Sequence, residues 1–105
     1  MSISETNKID ALAVSQDGEA LMLLIADHLP WDDEHTHLVV LQDKLNAYMS
    51  YIQSGDWKQQ VQQNVKYAII EIHFKHDITE NCEKFLQSVQ NLFGPHGVKI
   101  KAVIA

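Results

Sequence analysis

The sequence contains no arginine. Arginine is the planar fork that grips phosphates and guanine edges, so its absence weighs against nucleic-acid binding. It has a single cysteine, Cys82. That excludes an intramolecular disulfide and suits a reducing, cytoplasmic setting. No long hydrophobic run is present. The longest, Ala20 to Ala26, has strand length and falls far short of the roughly 18 apolar residues a membrane helix needs. The opening "MSISETNK" lacks the apolar core of a secretory signal. Glycine is scarce too: the four glycines stand singly near expected turns, so no phosphate-cradling loop is formed. These absences lead us to expect neither nucleic acid nor membrane as a partner, and no cofactor.

What is present fits one small domain. The 105 residues are 46% hydrophobic and 21% charged, enough to build a core without disulfides or metal. Charge is unevenly placed. Residues 1–43 carry nine carboxylates and one lysine, a balance of −8; residues 44–105 carry five carboxylates and seven lysines, a balance of +2. The acidic half also disfavours nucleic acid, whose binding rests on phosphate contacts.

Periodicity gives the elements. Residues 1–8 are polar and expected to be flexible, leaving residues 9–105 as the domain. Ile9 to Ser15 and Ala20 to Asp27 read as two strands joined by a hairpin at Asp17-Gly18. Pro30 and Trp31 break the chain, and Asp32 or Asp33 suits the N-cap of a helix at about residues 33–53. Leu38, Leu41, Leu45, Tyr48, Met49 and Ile52 form its apolar stripe, and Gly55 ends it. Residues 56–65 are glutamine-rich and fit either a loop or a ragged helical turn. Lys66 to His76 alternates: Ala68, Ile70, Ile72 and Phe74 face one side, and Tyr67, Ile69, Glu71 and His73 the other. Thr79 caps a second helix with the stripe Cys82, Phe85, Leu86, Val89, Leu92 and Phe93, stopped at Gly94-Pro95. Val98 to Ala105 is a last strand whose lysines suit a sheet edge. The order ββαβαβ predicts an α+β two-layer sandwich. It has a four-stranded mixed sheet with both helices on one face, and its last two strands are parallel.

The densest chemistry lies in "DHLPWDDEHTH", residues 27–37. His28, His35, His37 and a carboxylate have the donor types of a zinc site. On a helix, however, His35 and His37 diverge by about 200°, so they cannot share an ion. A capped helix start with solvated side chains explains the stretch better, and we expect no metal. Trp31 could stack on a ligand, but beside Pro30 it is better placed to pin the loop. Cys82 lies on an apolar stripe, where a thiol lacks the exposure a nucleophile requires. Whether His28, His35, His37, His73, His76 and His96 meet in space is left open by the sequence. No catalytic constellation is visible, and no enzyme activity is expected.

The stretches "IADHLPWDDEHTHL" and "LQDKLNAYMSYIQSG" resemble the pattern ISDHLxW…LQxKLNxYxxYIxSG of a family of small bacterial proteins, a domain of unknown function. The resemblance is strongest over about residues 9–56 and looser beyond. It implies the same fold and brings no site residues with it.

The second strand is apolar on both faces. Two helices cover one face of a four-stranded sheet. The other face would then expose either the Leu21 or the Met22 half of this strand, beside Tyr67, Ile69 and Val103. Leu21, Leu23, Ile25, Tyr67 and Ile69 are taken as the candidate interface of a homodimer, because a patch of that size is unusual on a monomer. The expected function is a homodimeric protein-interaction module. One alternative is an acidic inhibitor of the immunity or antitoxin kind, meeting a basic protein through Asp27, Asp32, Asp33 and Glu34. The other is a metal-dependent enzyme.

Overall fold

The computed structural model describes residues 9–61 and 64–104. The flexible start expected at residues 1–8 lies outside the described residues. The elements are β1 (Ala11–Val14), β2 (Ala20–Asp27), α1 (Glu34–Ser54), β3 (Tyr67–Phe74), α2 (Glu80–Phe93) and β4 (Val98–Ile104). The sheet order is β1-β2-β3-β4, with β1 antiparallel to β2 and both β2–β3 and β3–β4 parallel. This is the ββαβαβ two-layer α+β architecture the periodicity predicts.

Local chemistry sets the boundaries. The hairpin closes through Gly18, whose φ of 74° lies in the left-handed region that favours glycine, and through Asp17. The Asp17 carboxylate accepts from the Ser15 hydroxyl and the Glu19 amide, which hold it below the usual carboxylate range. Asp33 caps α1 by accepting from the Thr36 amide at 3.1 Å, and Thr79 caps α2 by accepting from the Cys82 amide at 3.1 Å. Residues Asp56–Gln59 form a 3-10 turn, where Trp57 packs against the core and donates from its indole to the Ile52 carbonyl at 3.0 Å.

α2 ends at Phe93, where Gly94-Pro95 is expected to stop it. A separate 3-10 turn at Gly94–His96 follows, and Gly97 at φ 75° turns the chain into β4. Pro95 lies in the first positions of that turn, where its missing N–H would find no partner.

Both helices pack on one face. Leu21, Leu23 and Ile25 from β2, Ala68, Ile70, Ile72 and Phe74 from β3, and Val98 from β4 form one buried cluster with Leu41, Leu45 and Tyr48 of α1 and Cys82 and Leu86 of α2. Two expectations are corrected here. Leu21, Leu23 and Ile25 lie under the helices, so they are core and not interface; the open face of β2 is Met22, Leu24 and Ala26. Leu92 is 70% exposed and falls outside the α2 stripe, which is Cys82, Leu86, Val89 and Phe93. On α1, His37 and Lys44 are buried, whereas Leu38 and Ile52 are only half-buried.

Candidate functional site

Three kinds of grouping carry chemistry: buried polar clusters between α1 and the sheet, the acidic rim at the helix starts, and the open face of the sheet.

Asp27 ends β2, and the chain returns over it through Pro30 and Trp31 into α1. His37, one turn into α1, points inward. Its Nε2 lies 2.8 and 2.6 Å from the two carboxylate oxygens of Asp27, and its Nδ1 lies 3.2 Å from the Pro30 carbonyl oxygen. Trp31 stacks on the imidazole with 3.7 Å between ring centroids and packs at 6.3 Å from Phe74. Its indole N–H is buried without an acceptor among the described residues. The Asp27 carboxylate also accepts from the Leu29 amide at 3.1 Å.

A carbonyl and a carboxylate only accept, so a ring nitrogen that carries a proton donates it to one of them. Both ring nitrogens are thus engaged by protein groups.

The Asp27–His37 pair is a strut tying the end of the sheet to the start of α1. Asp27 is therefore corrected as a surface residue: it is 2% exposed and committed to His37. Cys82 sits in the core beside this cluster. Burial, reinforced by the Asp27 carboxylate, pushes its thiol up to about 12.

A second buried polar group lies along the same helix. Lys44 is fully buried and donates to Asp10 at 3.0 Å. Asp10 accepts from the Ala26 amide at 3.2 Å, while its own amide donates to the Tyr48 hydroxyl at 2.9 Å. The Tyr48 hydroxyl donates to the Leu24 carbonyl, and burial raises its pKa above the ordinary tyrosine value. This network fastens the start of β1 to α1 and β2. The two helix starts are joined as well. The Glu34 carboxylate accepts from the Thr79 hydroxyl and from the Asn81 amide at 2.8 Å, and both hold it below the usual range. Asp32 and Asp33 are exposed beside it, and Glu80 and Glu83 are exposed on the first turn of α2. The acidic stretch therefore shares one end of the molecule with acids from the second helix.

The histidines do not converge. His35, His76 and His96 are exposed, as is His28. His28 and His76 follow β2 and β3 at the carboxyl end of the sheet, while His96 precedes β4 at the opposite end. Among the described residues, no three His, Cys, Asp or Glu side chains are grouped to hold a metal. His73 lies on the open face, where its Nε2 meets Glu71 at 2.5 Å.

That open face is the third grouping. Met22, Leu24, Ala26, Tyr67, Ile69 and Val103 are each half-buried, with none of the described helices above them. Exposed Lys99 and Lys101 line the β4 edge, and Lys101 lies 3.8 Å from Glu71. Towards β1 the surface dips into a shallow depression of about 220 Å³, lined by Ala11, Ala13, Met22, Leu24 and Glu71.

Among the described residues, no helix is long and apolar enough to cross a membrane. No curated protein and no solved structure matches the chain. A family model does match, over residues 1–105 and thus the whole sequence, and the chain belongs to that family of unknown function, DUF6572.

Proposed function

We propose that this protein is a cytoplasmic, non-enzymatic interaction module that works as a homodimer joined through the helix-free face of its sheet. The observation that carries the reading is the contiguous apolar surface of Met22, Leu24, Tyr67 and Ile69 on the two central strands, with none of the described helices above it. Sheets that face water on one side normally present polar residues there. The engaged nitrogens of His37 and the buried, neutral thiol of Cys82 support a role without catalysis.

The face offers roughly 450 Å² of projected area per copy at usual strand spacings. That is at the small end for specific association, so a dimer dissociating at micromolar concentrations is expected. Light scattering and sedimentation equilibrium from about 1 µM to 1 mM, spanning that affinity range, should show the mass rising to twice 12.0 kDa. Ile69→Asp should hold it at the monomer mass, because it buries an unpaired charge. A wild-type protein that stays monomeric throughout overturns the proposal.

A second reading is favoured by one observation, the meeting of both acidic helix starts through Glu34 and Asn81. It makes that end a docking site for a basic protein, as an inhibitor of immunity or antitoxin type would use. Its test is reversal of the exposed acids Asp32, Glu80 and Glu83, read as the rate of association with a basic partner at low and high salt.

A further inference from the structure

The open face is lopsided in both height and charge. Strand register sorts it into rows that run across all four strands. One row reads Ala13, Met22, Ile69, Lys99 from β1 to β4; the next reads Ala11, Leu24, Glu71, Lys101. Each row is low and apolar at β1, carries its bulk in the middle, and ends in a long cationic side chain at β4. The low side is the 220 Å³ depression, with Glu71 on its wall.

Two copies that pack face to face with their strands aligned are related by a two-fold axis between the sheets that runs across the strands or along them. An axis across the strands sets β1 against β1 and β4 against β4. Two alanine depressions would then face each other and leave a void, and lysine columns of like charge would be pressed together. An axis along the strands sets β1 against β4 and keeps each row over its own counterpart. The aliphatic stems of Lys99 and Lys101 then lie in the partner's alanine depression, as long cationic side chains commonly do on apolar surface. Their ammonium groups approach the partner's Glu71, and Met22 packs on Ile69 at the centre.

Resting on the homodimer reading above, we infer that the partner on this face is a second copy turned about an axis along the strands, with the β4 lysines of each seated in the Ala11–Ala13 depression of the other. Shape and the separation of the two lysine columns select this arrangement over the alternative.

Cross-linking tests it on the full chain. Ala13→Cys and Lys99→Cys proteins are prepared separately, mixed, and treated with a short bis-maleimide spanning about the 10 Å between packed sheets. The wild-type protein, with its buried Cys82, is the blank. The expected result is a covalent dimer from the mixture and little from either variant alone. Lys101→Ala should also weaken dimerisation by about tenfold, since it removes both a stem and a charge from the contact. If Ala13→Cys links to itself instead of to Lys99→Cys, or if Lys101→Ala dimerises as tightly as wild type or more so, the orientation is overturned while the dimer stands. A wild-type monomer at every concentration overturns both.

Discussion

His37 reaches across ten residues to place Nε2 within 2.8 Å of one Asp27 oxygen and 2.6 Å of the other, while Nδ1 points at the Pro30 carbonyl. The contact joins the last residue of β2 to the first turn of α1 in a site from which water is excluded. Removing His37 leaves the buried Asp27 carboxylate with the Leu29 amide as its remaining donor among the described residues. His37→Ala should therefore cost about 3–5 kcal/mol. Urea unfolding, with a shifted midpoint at unchanged slope, would show it. A loss below about 1 kcal/mol would mean that Asp27 is uncharged or rehydrated in the variant.

Lys44 and Asp10 make the same argument at a longer range, 34 residues apart and both buried. Lys44→Met and Asp10→Asn should each destabilise by about 3 kcal/mol or more. The double variant Asp10→Leu with Lys44→Met should cost less than the sum of Asp10→Leu and Lys44→Met made singly, by at least about 1 kcal/mol, because neither charge is left alone. Strict additivity would dissolve the network into independent contacts.

These two pairs also mark where sequence reading stopped. The element order, the caps at Asp33 and Thr79 and the β3 alternation were all visible, because each depends on near neighbours. Lys44 lies on the stripe with Leu41, Leu45 and Tyr48, but lysine is seldom buried, and its partner is far away in sequence. His37 and Asp27 stood out as chemistry and were assigned to the surface, since a side chain's inward turn depends on how the loop folds back. For β2, both alternating halves are apolar and periodicity alone could not choose between them. The pairing Leu21↔Ala68 and Leu23↔Ile70 chooses, because the plain alternation of β3 fixes which half faces the helices.

Stability should decline at both ends of the pH scale. Asp33 is held below its ordinary 3.8 by the Thr36 amide and hydroxyl, and Glu34 below 4.5 by Thr79 and Asn81. A carboxyl depressed in the folded state contributes stability that is complete above its unfolded value and lost as pH falls through the folded one. Melting temperature should therefore drop below about pH 4.5. Asp33→Asn should flatten that limb, because asparagine still caps but does not titrate. Cys82 has the opposite sign: folded at about 12 against 9.0, it contributes stability that is complete below pH 9.0 and fades as pH rises towards 12. Tyr48, raised above 10.0, acts in the same direction at higher pH. A disulfide reagent at about pH 8 should leave the native thiol unlabelled and titrate it fully in denaturant. Rapid labelling of the native protein would place Cys82 outside the core.

The acidic end tests whether the protein meets anything besides itself. Asp33 and Glu34 are bound into the caps and ties of the two helix starts, so reversing them would damage the fold along with the surface. Asp32, Glu80 and Glu83 are exposed, and each can be reversed with both caps intact. One-signed patches accelerate the arrival of oppositely charged partners, and salt screens the effect over about 8–10 Å at ordinary ionic strength. Asp32→Lys with Glu80→Lys and Glu83→Lys should remain folded, losing about 1–3 kcal/mol as the Glu80–Lys84 pair and the first-turn acids of α2 are lost. A basic protein captured from the native host by the wild-type chain, and identified by mass spectrometry, should associate with the triple variant far more slowly at low salt. The difference should shrink as salt is raised. Equal rates at low salt would show that the acids serve the helix starts and solubility, and that the basic-partner reading fails.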